Sequence, residues 1–501
     1  MKQIFTLCSV LFASLAFSQE GTLDASYGNS GFFIYNSGSY GTEIEIDANQ
    51  RMVVGSYEFS NAFKFHRFST SNQLDTTFGT GGYTTVYFGG LQAVLYDMKI
   101  QPDGKIVAVG YWEDTNSVNR KDFMVVRLNA NGTIDTSFNG TGKLTIAFGT
   151  NEDIAKAVAI QPDGKILVAG QSFTGSNRDV AVARINVDGT LDTTFSGDGK
   201  LTTDIAGNND SATCIAINTD GKIAVGSYSY GAASSNNFSD YGIVKYNTDG
   251  SLDTSFSGDG KQIVIIAPSN NDEPVEIAFL DSGKILIGGT AFLSGRDDFA
   301  LVRLNANGSL DTSFNGDGIF TAPIGSSDDT TRAMKILADG RIMLAGTVTA
   351  GSYTDIGLMR VTSNGYLDTT FGTGGKTQQG YGNLSVINDM DILSDGKIMV
   401  CGSAGGTNIF LSRFNGLVSG YLDVKDTPSE KNRLSVYPNP VKDILYSNEN
   451  LEHFELYSSS GQLLKSGENQ KNIDVRDLIK GNYVLRIRTK DKTATKKIIK
   501  N

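Results

Sequence analysis

One short signature recurs seven times along this chain of 501 residues: Leu or Ile, then Asp, two variable residues and an aromatic ring. Its aspartates are Asp24, Asp75, Asp135, Asp192, Asp253, Asp311 and Asp368, at intervals of 51, 60, 57, 61, 58 and 57 residues. A second signature falls between them, as in QPDGKIVAVG at 101–110 and QPDGKILVAG at 161–170, with a degenerate first copy, DANQRMVVG, at 47–55. A third closes each unit, as in VVRLNANG at 125–132. A fixed period near 58 residues means one supersecondary unit repeated, with neighbours burying each other's faces.

Each unit reads as four short strands. In the unit from Leu191 to Gly250 they are Lys200–Asp204, Ala212–Asn218, Lys222–Ser227 and Asp240–Asn247. Asp-Gly between two apolar runs signals a two-residue type I′ hairpin, because both turn residues then need positive φ. Four antiparallel strands repeated radially make a propeller blade. The strand after each Leu-Asp-x-x-Phe is expected at the outer edge of the preceding blade. The first such strand, Gly31–Tyr35, has no preceding blade and is expected to pair near Ile409–Phe414, closing the ring. The fold expected is all-β: a seven-bladed β-propeller of four-stranded blades plus a small C-terminal β-sandwich.

The ends differ from the repeats. Lys2 and the apolar run Ile4–Phe17, with the small-x-small site Ala16-Phe17-Ser18 at its end, read as a secretory signal over 1–18 that leaves Gln19 first. The propeller is assigned to 19–422, a polar linker to 423–433 and the C-terminal domain to 434–501. Residues 431–501 carry 14 Lys/Arg against 8 Asp/Glu, a net of +6, which leaves −17 on the rest of a chain whose total is −11. A body this acidic repels phosphate backbones and argues against nucleic-acid binding. No apolar run after the signal is long enough for a transmembrane helix.

Chemistry is sparse. His66 and His453 fall in different domains, and Cys214 and Cys401 in different repeats, where they read as buried free thiols, so neither a nucleophilic triad nor a zinc set is expected. The aspartate in each repeat signature reads as a turn cap and its Phe as a plug between blades. No cofactor is expected. Calcium in the loops 186–200 and 247–261 is the weaker alternative to Asx turns, since an EF-hand spacing and closing Glu are missing.

A binding site must break the repeat. The position before each first strand holds Ser39, Ala93, Asp153, Asp210, Asp272, Asp329 and Ser385, so four neighbouring blades place an aspartate where a cation or cationic ligand could be held. Beyond each second strand lie Tyr57, Trp112, Phe173, Tyr228 and Phe292, with Thr349 and Ala404 nearby in the last two repeats. These rings suit sugar or peptide stacking if exposed and loop packing if not.

The Leu-Asp-x-x-Phe and Asp-Gly-Lys pairing over 21–416 resembles the delta-60 repeat, a β-propeller family of secreted bacterial proteins that implies a fold more than an activity. The VYPNP opening at 436–440, Gly461, Gly481-Asn482-Tyr483 and the terminal KKIIK resemble the type A C-terminal sorting domain of type IX secretion. That resemblance implies a Gram-negative host, the type IX machinery as partner, and release outside the cell or attachment to its surface. The expected function is a secreted or surface binding scaffold that is not an enzyme. The alternatives are a polysaccharide-active enzyme with a carboxylate pair in the channel, and a structural surface or adhesion component.

Overall fold

The computed structural model describes residues 19–416, 436–437 and 441–500, apart from 58–60, 115–120, 206, 232–237, 269, 281, 383–384, 406, 459–462, 479–480 and 491–492. The signal region, the polar linker, the Pro-Asn-Pro turn and Gly461 lie outside the described residues. The chain divides into two compact units near residue 418.

The first unit contains seven four-stranded antiparallel sheets. Blade 1 runs Tyr40–Ile46, Met52–Tyr57, Ala62–Phe68 and Tyr83–Tyr87. Blades 2 to 6 repeat that order, their first strands being Gln92–Ile100, Asp153–Ile160, Asp210–Ile217, Asp272–Phe279 and Asp329–Ile336. Each first strand touches the next around the ring, and that of blade 7, Ser385–Ile392, returns to that of blade 1. First strands therefore line a central channel and fourth strands form the rim.

Blade 7 is completed by the N-terminal segment. Phe32–Tyr35 pairs antiparallel with Ile409–Ser412, as the repeat phase predicted. The residues before it continue the closure: the Gly21 and Asp24 N–H groups donate to Asn415 and Arg413 at 2.6 and 2.9 Å, and the Gly372 N–H donates to Glu20 at 2.9 Å.

The hairpins inside the blades correct the type I′ expectation. Gly104 has φ +84°, whereas Asp103 keeps an ordinary negative φ. The Gly104 N–H donates to Gln101 O, and Asp103 Oδ1 accepts the Lys105 N–H. This is a type I turn followed by a left-handed glycine, which the strand twist also accepts. In the degenerate first copy Gln50 takes that position at φ +62°.

Each signature Phe is fully buried against the next blade. Phe78 sits so close to Gly132 (φ +84°) that a Cβ there would lie 2.8 Å from its ring. Beside it the Gly79 N–H donates to Asn131 O at 2.7 Å, and the same blade-to-blade bond recurs from Asn139 to Asp188 and from Ser196 to Asp249. Apolar packing between adjacent blades is thus continuous, as in the cluster of Val107, Phe123 and Phe138 with Val158 and Val168.

The C-terminal unit is a five-stranded antiparallel sheet. Its long strand Ile444–Ser458 shifts register between Tyr446 and Leu451, pairing with Val436–Tyr437 before the shift and with Gly481–Arg488 after it. Leu445, Leu456, Ile473, Leu485 and Ile498 form a core of its own.

Candidate functional site

The seven signature aspartates are accounted for by structure. Asp135 Oδ1 accepts the N–H and hydroxyl of Ser137 at 3.1 and 2.6 Å, the expected turn cap. Oδ2 takes Arg127 Nε of the third strand at 2.7 Å and Lys105 Nζ of the hairpin at 3.0 Å. Arg127 also donates to Val187 O of the next blade at 2.6 Å and stacks over Phe138 at 4.6 Å. Burial alone would raise the Asp135 carboxyl, but bonds from Ser137, Lys105 and Arg127 hold it well below the usual carboxylate range. Asp24, Asp75, Asp192, Asp253, Asp311 and Asp368 repeat this junction, with Lys245 replacing the arginine at Asp253. Sequence reading found the cap and the plug but not the two cations, although Arg127 and Lys105 stand in signatures already visible. In the two loops weighed for calcium, Asp188, Asp198, Asp249 and Asp259 accept N–H groups two residues on, which is Asx-turn chemistry.

Asp153, Asp210, Asp272 and Asp329 are fully buried. Each turns into the loop preceding its own blade: Asp153 Oδ2 accepts the Phe148 N–H at 2.7 Å, Asp210 that of Ile205, Asp272 those of Ile266 and Ala267, and Asp329 those of Ile324 and Gly325. They do not converge as one ligand set. A second aspartate, near the start of the third strand, was missed: Asp122, Asp179, Asp240 and Asp298, all buried. Asp240 feels Asp272 across the blade junction, and Asp329 feels Asp298. Burial, then Asp272, pushes the Asp240 carboxyl up to about 6. A folded-state value raised above the unfolded one gives stability that is present below about pH 4 and lost as pH rises through the folded value. Asp240→Asn is therefore expected to stabilise the propeller by roughly 1–2 kcal/mol near pH 7, with no gain near pH 4. Denaturant melts at the two pH values check this, and an equal effect at both would contradict it.

The five rings are half-buried. Tyr57 stacks on Tyr40 with centroids 6.3 Å apart and accepts from Gln92 at 2.7 Å. Trp112 lies against Gly90, and Tyr228 meets Tyr230 edge-on at 5.8 Å. The Phe173 N–H donates to Glu152 O at 3.1 Å. Phe292 differs: it walls a cavity of about 280 Å³ shared by blades 4, 5 and 6. The other walls are Phe238, Asn270, Asn271, Glu273, Thr290, Asp297 and Thr330. The Asp297 N–H donates to Asp328 at 3.1 Å, and its carboxyl is raised by burial, then by Asp328 and Glu273. The cleft thus offers two rings, two amides and two carboxylates.

The channel carries the other concentration of charge. Every first strand has a bulge near its third residue, as between Leu95 and Asp97 or Ala155 and Ala157. Around these bulges lie Asp97, Lys99, Lys156, Glu276, Arg332, Lys335 and Asp389. Lys99 contacts Glu45 and Asp97 at 3.0 Å each. Asp389 and Asp97 accept N–H groups of the neighbouring first strand, from Ile44 and Val158. Burial pushes Glu276 up to about 7 and, with Lys121, pulls Lys156 down to about 8, where its ammonium sits 3.3 Å over the Tyr96 ring. His66, by contrast, is buried among Tyr35, Phe68 and Tyr83, and burial drives its imidazole down to about 3. Cys214 and Cys401 are buried free thiols.

Five stretches, 101–138, 161–195, 219–256, 281–314 and 337–371, match the family described as a domain of unknown function (DUF5122) beta-propeller. Residues 435–501 match the secretion system C-terminal sorting domain. No curated protein sequence matches the chain. Solved structures with a similar course include a polysaccharide lyase, PL25 ulvan lyase, bound to a GlcA–Rha3S unit (9% identity, 79% of this chain and 94% of that one, TM-score 0.44). Another is the Penicillium chrysogenum alpha-L-arabinanase complexed with arabinobiose (9% identity, 79% and 98%, TM-score 0.40). No helix among the described residues is long and apolar enough to cross a membrane.

Proposed function

Since the chain carries DUF5122 propeller repeats and a type IX sorting domain that indicates export to the cell surface or beyond, we propose that it is an extracellular binding propeller whose ligand is a neutral or amino-bearing glycan. The observation that carries this reading is the cleft beside Phe292. A sugar ring needs an aromatic face for its C–H side and fixed amides or carboxylates for its hydroxyls. Phe292 and Phe238 supply the first, and Asn270, Asn271, Glu273 and Asp297 supply the second. Carboxylates on the wall disfavour polyanionic chains. The cleft breaks the repeat, because Phe238 and Asn270 belong to segments whose length differs from blade to blade.

The test is a glycan array probed with the mature chain and with Phe292→Ala. Retention of a neutral or amino-bearing glycan, weakened several-fold and up to about tenfold by Phe292→Ala, is the expected result, since one stacked ring contributes on the order of 0.5–1.5 kcal/mol. Retention only of sulfated or uronate chains would overturn the proposal. Cleavage of the captured glycan would replace it with the polysaccharide-active alternative.

A further inference from the structure

Among the described residues one group of three carboxylates, Asp179, Asp204 and Asp210, brings an oxygen from each to within 4.8 Å of the others. They come from three elements at the junction of blades 3 and 4: the third strand of blade 3, the residue after its fourth strand, and the first strand of blade 4. At the corresponding junctions Ala147, Ile265 and Pro323 stand where Asp204 does, so no carboxylate is supplied from that position. The third carboxylate is therefore a departure from the repeat and serves nothing that the other junctions need.

Asp179 supplies a second, separate observation. Its side chain is nine-tenths buried. Oδ2 accepts the Thr174 hydroxyl, while Oδ1 is shut off from solvent with no hydrogen-bond partner. A buried carboxylate oxygen without a donor beside two more carboxylates is costly unless a cation completes it. The nearest protein cation does not fill this role. Lys261 Nζ donates to the backbone carbonyl of Asp204 at 2.6 Å, and Lys143 and Lys200 make the same bond to Tyr87 and Ala147, whose own side chains carry no carboxylate. Its position is set by the blade rather than by the acidic group.

We propose that Asp179, Asp204 and Asp210 form a divalent-cation site that ties blade 3 to blade 4, with calcium the ion its chemistry fits. All donors are hard oxygens, from three carboxylates, with no nitrogen or sulfur ligand. The exposed position of Asp204 leaves one side open to water molecules that would complete the coordination. The site is independent of the glycan cleft and stands or falls without it.

Calorimetry and thermal melting of the chelator-treated mature chain with calcium chloride test it, with magnesium chloride as a second arm. Sites on extracellular modules bind in the range of about 0.1–1 mM. The expected result is saturable calcium binding in that range, a melting temperature that rises with calcium, and a loss of both by about tenfold or more in affinity on Asp204→Asn. Asp204 is exposed, so that variant should fold, and its melting curve without calcium shows whether it does. Asp240→Asn, at a two-carboxylate junction, should leave the calcium response unchanged. Absence of binding at about 10 mM calcium, or a calcium response undiminished by Asp204→Asn, would overturn the proposal. A preference for magnesium would retain the site and overturn its assignment to calcium.

Discussion

A chain that starts at Asn36 instead of Gln19 will not give a cooperatively melting propeller. The missing segment supplies the fourth strand of blade 7 and the seventh aspartate junction. Asp24 takes Arg413 at 2.7 Å, and Tyr27 lies buried under the Arg413 guanidinium at 4.7 Å. Burying Tyr27 contributes about 1.5–3 kcal/mol, and the half-buried Phe32 and Phe33 each contribute part of that. Removing Asp24 leaves Arg413 without its partner, at roughly 3–5 kcal/mol. Together these approach the whole margin of a domain, about 5–15 kcal/mol. The loss also opens Ile409–Phe414 as a bare edge, which invites pairing between chains. Thermal melting and size-exclusion chromatography should show a broad transition and soluble aggregates. Adding a synthetic peptide of residues 19–35 should restore part of the sharp transition. A cooperative melt within a few degrees of the intact chain would contradict the closure.

The second large effect is expected at Arg127. Arg127→Ala removes a guanidinium that is 2% exposed and binds Asp135, Val187 O and the Phe138 face together. Breaking one partner of a buried pair costs about 3–5 kcal/mol, mostly because the other charge is left unpaired. Lys105 still reaches Asp135 and keeps the figure toward the lower end. The blade 4 junction supplies an internal control. Lys245 stands at the equivalent place, 3.4 Å from Asp253, so Arg127→Lys should recover about half of the loss. Asp135 is held below its ordinary value, so the junction is fully formed above about pH 4 and is lost as pH falls through the folded value. The gap between wild type and Arg127→Ala should therefore narrow in acid. Denaturant unfolding near pH 7 and near pH 3 measures it, and a loss below about 1 kcal/mol near neutrality would contradict the role assigned to the arginine.

The blades and their closure were legible because period, turn glycines and strand alternation all state the same thing. The register of Phe32–Tyr35 against Ile409–Ser412 follows directly from the phase of the Leu-Asp-x-x-Phe signature. The channel was not legible. A constant offset to the hairpin glycine placed Asp153 and its equivalents before each first strand, as candidates for one shared ligand set. The bulge at Ala155/Ala157 adds a residue to the first strand and places Lys156 beside the channel, while Asp153 caps the loop behind it. A bulge changes which side chains share a face without changing composition, so an offset shared by all repeats cannot reveal it. The cleft was half legible. Phe292 was marked as one ring of five, but Glu273 and Asp297 join it only through the packing of blades 4 to 6.

Seven repeated carboxylates hold the ring, and the proposed binding site is a non-repeated cleft apart from them. Affinity for the glycan captured on the array, measured with the melting temperature on Asp135→Asn and Glu273→Gln, tests that separation most directly. Asp135→Asn should lower the melting temperature by several degrees, as about 1–3 kcal/mol implies, and leave affinity within about twofold. Glu273→Gln should leave the melting temperature unchanged and weaken binding at least about fivefold. Full binding by Glu273→Gln, or lost binding by a stably folded Asp135→Asn, would contradict the account.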